Sequence, residues 1–244
     1  MNAYDTYYAE VQKQLAQVYS AQRAAIGQAA EWLGEALAND RWLYAFGTGH
    51  SHLLAEEIFY RAGGLAHAVP ILDDRLMLHE KAIEATYVER EEGYAAGLLK
   101  QYPVASGDML IVASNSGRNA VPVELALAGR ELGLKVVVIT SLQQTRAWPS
   151  RHSSGKRLAE VGDLTIDNCA VNGDACLKLP GMPGAIGPTS TVTGALIVNL
   201  VIVQGIENAL ARGVGPEIYI SSNTSGDDHN NELLQKYRSR IRHL

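Results

Sequence analysis

The sequence predicts an α/β fold: a five-stranded parallel sheet with helices on both faces and extra helices at the amino-terminal end. Three observations predict it. Short apolar runs alternate with stretches of helical periodicity, as in WLYAF at 42–46, MLIVA at 109–113 and LKVVVIT at 134–140. Such continuous runs fit strands buried on both faces. Two of the runs close in small polar residues and glycine, in YAFGTGHSHLL at 44–54 and LIVASNSGRN at 110–119. Strand, polar loop, helix, strand is the βαβ pattern, and its repetition implies parallel strands joined by right-handed crossovers. Finally, 244 residues are enough for a core that needs no disulfide.

Each element follows in order. Residues 5–38 are helical, with Leu15, Val18, Ile26, Ala29, Ala30 and Leu33 at helical spacings, and Gly27 is the expected point of division into two helices. Trp42 to Phe46 forms the first strand, and a helix runs from Ser51 to about Arg61, stopped by Gly63 and Gly64. HAVPIL at 67–72 is the second strand, and Pro70 places it near an edge. A long charged helix is expected over 81–101, then the third strand at 109–113 and a helix over 120–132. The fourth strand is 134–140, and DLTIDN at 163–168 is a weaker fifth. A long apolar helix over 191–212 and a polar one over 230–240 complete the chain. No linker divides it: residues 1–40 form a helical segment packed on the core or on a dimer partner, and 41–244 form the domain.

The net charge of −5, with no basic block, argues against a nucleic-acid groove. The start, MNAYDTYYAEVQKQ, lacks the form of a secretory signal, and the apolar run 195–203 contains Asn199 and is short for a membrane span. A cytoplasmic protein with no membrane partner is expected. Cys169 and Cys176 fit neither a redox nor a zinc spacing and are expected as buried free thiols, consistent with a reducing compartment.

Ligands of such sheets bind beyond the carboxyl ends of the strands. In ASNSGRN, Ser114, Ser116 and Asn119 offer donors, and Gly117 permits a tight turn and close approach of a ligand. Pro122 suits the first turn of the next helix, whose free N–H groups attract an anion such as phosphate. The same residues also suit a simple capped helix start. In FGTGHSH, Gly47 and Gly49 allow a sharp turn, and Thr48 and Ser51 can donate. No lysine follows as in a Walker A loop, and His52 replaces the third glycine of a dinucleotide fingerprint. His50 and His52 lack a third metal ligand, so neither metal nor cofactor is expected. IGPTSTVTGALIVNL at 186–200 adds Thr189, Ser190, Thr191 and Thr193 ahead of an apolar helix. Three hydroxyl-rich loops without aromatic cages point to a phosphorylated polyol.

On GTGHS at 47–51, SNSGRN at 114–119 and GPTSTVTGALIVNL at 187–200, the chain resembles the sugar isomerase (SIS) domain family over nearly its whole length from about residue 20. The long form, with DDRLMLHE and HSSGKRL, looks like an uncharacterised group of that family; it is more distantly similar to N-acetylmuramic acid 6-phosphate etherases and phosphoheptose isomerases. The resemblance implies a flavodoxin-like three-layer sandwich, a homodimer or homotetramer, and a phosphorylated sugar as ligand. It implies that Ser114, Ser116 and Asn119 bind the phosphate, although many relatives carry Ser or Thr where Asn119 stands. It also implies that Ser51, Thr189 and Ser190 face the sugar. Family members include isomerases, etherases and sugar-phosphate sensors, so aldose–ketose isomerisation, ether elimination and non-catalytic sensing all stay open. Only about 40 residues precede the first strand, with no helix-turn-helix pattern, which disfavours a stand-alone regulator.

Isomerisation needs a base beside the carbonyl and an acid near the oxygens. Glu56, Glu57 and Glu80 are the candidate bases, and His79 and His152 the candidate acids. His52 and Glu56, four residues apart, share a helix face, whereas the adjacent Glu56 and Glu57 diverge. Glu80 equally suits the first turn of a helix. His152, in RHSSGKRL, is placed to close over a sugar phosphate, with Lys156 adding charge. His229 is either a base supplied across a dimer or a cap-region residue; Asp73 and Asp74 either bind sugar hydroxyls or start a turn; His67 and His243 receive no role.

Overall fold

The structure, a computed structural model, describes residues 2–244. Five parallel strands form the central sheet: β1 (Leu43–Gly47), β2 (Ala68–Ile71), β3 (Met109–Ala113), β4 (Lys135–Thr140) and β5 (Leu164–Asp167), in the order β2-β1-β3-β4-β5. β2 is an edge strand, which accommodates Pro70 because its outer side has no ladder to supply. Successive side chains alternate between two cores. Tyr44, Phe46, Leu110, Val112, Val136 and Val138 point to one face, and Leu43, Ala45, Met109, Ile111, Val137 and Ile139 to the other.

The second face is covered by α1 (Ala3–Ala21), α2 (Arg23–Ala38) and α8 (Ser190–Ala211). The break between α1 and α2 falls at Gln22 rather than at Gly27. Gln22 Oε1 accepts the Asp167 N–H at 3.1 Å, tying the break to the end of β5. Gly27 sits inside α2 with open space where a Cβ would be. α8 is long and apolar enough to cross a membrane by length and composition. Its apolarity has a local cause: Ile197, Val198, Val201 and Ile202 pack in the core beside Leu33 of α2, and Gly205 lets the two helices approach, since a Cβ there would come within 2.6 Å of Leu33.

The first face carries α4 (Leu78–Val88), α5 (Tyr94–Leu99), α6 (Ala120–Glu131) and α9 (Asp227–Tyr237). The expected long helix over 81–101 is two helices. Gly93, at φ +84°, turns the chain between them, and the Glu124 carboxylate accepts its N–H at 2.8 Å. After β1 a 3-10 turn over Gly49–His52 leads into a short α3 (Leu53–Glu57), which stops well before Arg61. α7 (Leu142–Ala147) follows β4. A hairpin of β6 (Ala175–Leu177) and β7 (Ile186–Pro188) has no counterpart in the sequence reading, because its strands are short and embedded in glycine and proline.

Candidate functional site

Strand order reverses between β1 and β3, whose carboxyl ends lie in register at Gly47 and Ala113. The loops that follow them therefore sit side by side at the switch point, where α/β sheets bind ligands. A cleft opens there between His50 and Ser51, the chain from Ser114 to Asn115, and Ser190 and Thr191 at the start of α8. Its enclosed part is about 10 Å³, room for roughly one water.

The loop after β3 makes a tight turn. Ser114 Oγ accepts the Gly117 N–H at 3.2 Å, closing it. Gly117 has φ +60°, and a Cβ there would meet Thr140 Oγ1 at 2.7 Å and Thr145 Oγ1 at 2.9 Å. The buried Thr145 hydroxyl has no hydrogen-bond partner among the described residues. The backbone N–H groups of Asn115, Ser116, Arg118 and Asn119 also lack an acceptor among the described residues, and Asn119 opens α6. Free amides at a helix start favour negative charge. Arg118, in the loop, lays its guanidinium over the Trp148 ring, and Arg151 reaches the loop at Asn119. Burial, and then the neighbouring Arg118 and Arg90 charges, hold the Arg151 guanidinium below its usual basicity.

Glu89, which the sequence reading missed, joins the two loops. At the end of α4, its Oε2 accepts the Thr48 hydroxyl at 2.8 Å and its Oε1 accepts the Asn119 amide at 2.7 Å. Arg151 Nη1 donates to Asn119 Oδ1 at 2.9 Å, extending the chain. Burial raises the Glu89 pKa above the ordinary carboxylate range, against the opposing pull of the Thr48 hydrogen bond and of Arg90 and Arg151. In VEREEGY it is one of three closely spaced glutamates, and no periodicity marks it out. The side chains of Thr48 and Asn119 are thus turned to Glu89 and buried.

The other sequence-selected residues divide. Gly47 lets the chain double back, since a Cβ on it would meet Ser51 O at 2.3 Å, and Gly49 has φ +54°. Ser51 lines the cleft. Asp174, on the hairpin, accepts the N–H groups of Thr189 and Ser190 at 3.0 and 2.8 Å and the Ser190 hydroxyl at 2.7 Å. That carboxylate already occupies the start of α8, while the buried Thr189 hydroxyl is unpaired. His52 pairs with Glu56 at 3.7 Å, as their spacing implied, and its ring stands 6.2 Å from that of His79. His79 pairs in turn with Glu80 at 3.7 Å, both well exposed. Glu57 is held by Arg61 and accepts the Asn199 amide at 2.7 Å, so it faces α8. His152 lies 3.5 Å from Glu124 and is not among the residues lining the cleft. Lys156 is exposed in the same loop.

Residues left open are now placed. Asp73 caps a short 3-10 turn and accepts the Tyr94 hydroxyl at 2.9 Å, so it starts a turn. His229 meets the Ile218 carbonyl at 2.9 Å. The two cysteines are free but half-buried rather than buried, and burial followed by the Asp167 charge pushes the Cys169 thiol up to about 11.

The SIS domain family model matches residues 6–141. A UPF0309 protein of Listeria innocua is 46% identical over 217 residues, 88% of each chain. A UPF0309 protein of Caldanaerobacter subterraneus is 41% identical over 244 residues, 98% of this chain and 99% of its own. Among solved structures, a phosphoheptose isomerase from Francisella tularensis aligns with TM-score 0.54 at 17% identity, covering 85% of this chain and 100% of that one. The Vibrio vulnificus NanR protein, complexed with ManNAc-6P, aligns with TM-score 0.50 at 14% identity, covering 96% and 69%. These two likenesses speak for the fold. The family match over more than half of the chain, with the near full-length relatives, shows that the chain belongs to the SIS domain family and to its UPF0309 relatives.

Proposed function

We propose that the protein binds a phosphorylated sugar or amino sugar across the β1–β3 cleft and interconverts its aldose and ketose forms. The observation that carries this reading is the pairing of the anion-ready Ser114–Asn119 loop with a buried carboxylate that bridges it to the first glycine loop. The phosphate sits on the free amides of the loop, with the Ser116 hydroxyl beside them. Ser51 and Thr191 face the sugar hydroxyls. A sugar held this way extends from the Ser114–Asn119 loop toward the Gly47–Ser51 loop, the two that Glu89 joins through Asn119 and Thr48. Glu89 takes the proton beside the carbonyl and returns it to the adjacent carbon. Burial makes this carboxylate a stronger base than an exposed one, which suits taking the proton up and handing it back. The hydroxyl proton moves through a second group, for which the His52–Glu56 and His79–Glu80 pairs beside the Gly49–His52 turn are the candidates. The SIS family and its phosphosugar isomerase relatives support the ligand class.

The shallow cleft supports a second copy of the chain as the missing wall. α8 exposes Val192, Val203 and Leu210, and Tyr19 of α1 is exposed near the α8 residues Leu200 and Gln204, around a groove. A homodimer that packs α8 and α1 across a two-fold axis covers them.

The test is a thermal-shift panel of sugar phosphates, the free sugars and inorganic phosphate, followed by incubation of stabilising compounds in deuterated water. The expected result is stabilisation by phosphorylated sugars and deuterium uptake beside the carbonyl. Stabilisation without uptake or product assigns a non-catalytic sensing role. Elimination of an ether-linked acid assigns the etherase reaction. No stabilisation by any phosphorylated sugar refutes the ligand class.

A further inference from the structure

We propose that Glu92, Glu124 and His152 form a binding site for one divalent cation of the zinc class, fastening the loop around 150–157 to the body of the domain. The three residues come from separate segments: the turn after α4, the second turn of α6, and the loop after α7. One ligand atom from each lies within 4.8 Å of the others. One imidazole with two carboxylates is a nitrogen–oxygen donor set that suits zinc and its first-row neighbours, and it leaves a fourth position for water.

Two further features point to a cation. The first is orientation. Glu124 accepts the Gly93 N–H with both oxygens, at 2.8 and 2.9 Å, and Glu92 accepts the N–H and hydroxyl of Ser153, each at 2.6 Å. His152 engages the Ser154 hydroxyl through Nδ1 at 2.7 Å, which leaves Nε2 facing Glu124 Oε1 at 3.5 Å. Outer partners of this kind fix the ring and the carboxylates of metal sites. The second is charge. Among the described residues no Lys or Arg side chain pairs with Glu92 or Glu124 within 4.0 Å, and His152 pairs at that range with Glu124 alone. The nearby Arg151 is spent on Asn119. Two carboxylates thus converge on one imidazole with no Lys or Arg side chain paired to either. A divalent ion balances that charge. Ligand atoms around a tetrahedral zinc stand roughly 3.3 Å apart, from bond lengths of about 2.0–2.1 Å, so closure from 4.8 Å asks for a movement of side chains alone.

The site is distinct from the cleft, and its failure would leave the proposed reaction standing. The test uses full-length protein stripped by a chelator and titrated by calorimetry with zinc, manganese or magnesium chloride, with thermal melts in parallel. Expected are one equivalent of zinc bound and a rise in Tm of about 5–10 °C at a hundredfold excess over Kd. Glu92→Gln, at an exposed position that leaves the fold intact, and His152→Gln each weaken zinc binding at least tenfold, whereas His79→Gln does not. Cobalt in place of zinc gives a visible d–d band that Glu92→Gln removes. Absence of zinc binding below millimolar concentration overturns the proposal. So does binding that survives Glu92→Gln, or that is lost in His79→Gln.

Discussion

Replacing Glu89 separates its structural role from its proposed chemical one. Its two oxygens accept from Thr48 and Asn119, which are 5% and 4% exposed. In Glu89→Ala both donors lose their partner, and water reaches them poorly. A buried polar group left unpaired costs about 1–3 kcal/mol, so the pair predicts a loss of about 2–5 kcal/mol after some relaxation. For a chain of this size each kcal/mol moves Tm by about 2–4 °C, giving a fall of roughly 5–15 °C. Glu89→Gln behaves differently. Its carbonyl oxygen accepts from Asn119 as before, and its amide donates to the Thr48 hydroxyl, which rotates to accept. That variant melts within about 2 °C of the parent at pH 7. It keeps sugar-phosphate stabilisation, because the Ser114–Asn119 loop is unchanged. It loses deuterium uptake beside the carbonyl by at least a hundredfold, since an amide moves no proton and general-base catalysis contributes about 10²–10⁴-fold. Differential scanning calorimetry supplies the first comparison, and proton NMR of the sugar in deuterated water the second. A Glu89→Gln variant with parental uptake refutes Glu89 as the proton carrier. An alanine variant as stable as the parent refutes the bridge between the two loops.

Further consequences can be measured separately. Gly117→Ala forces a side chain into φ +60° and against the hydroxyls of Thr140 and Thr145, so it should lower Tm by several degrees, at about 1–2 kcal/mol for the backbone alone, and abolish stabilisation by sugar phosphates. The raised pKa of Glu89 means the folded chain holds this proton more tightly than the unfolded chain. Its stabilising contribution is therefore complete below the ordinary glutamate value and declines as pH rises through the folded one. The stability difference between parent and Glu89→Gln should accordingly shift against the parent from pH 4 to pH 8, as read by denaturant unfolding. Light scattering should give a particle of twice 26.3 kDa or more, and Val203→Glu with Leu210→Glu on the exposed face of α8 should shift it toward monomer.

The sheet was legible because its signal is local. Runs such as MLIVA and VVVIT can be satisfied only by burial on both faces, and their glycine-rich ends place the loops at one edge. That alone nominated Ser51, Ser114, Ser116 and Gly117, of which Ser51 and Ser114 line the cleft between the two loops and Gly117 takes the positive φ its turn requires. What the residue pattern left undecided depends on contacts between segments far apart in the chain. The first helix breaks at Gln22, whose side chain meets the end of β5, a contact no helical periodicity reports. Gly93 divides the charged helix where Glu124 of another helix takes its amide. Thr48 and Asn119 read as ligand donors in isolation, yet the tertiary fold brings Glu89 between them and consumes both side chains. Glu89 itself has no sequence signature, since its altered acidity comes from burial and from partners 41 and 30 residues away. The sequence by itself determined the strands and the polar, glycine-bearing loops that end them. Only the tertiary structure decided which carboxylate is buried among them, because desolvation belongs to the assembled fold and to no residue alone.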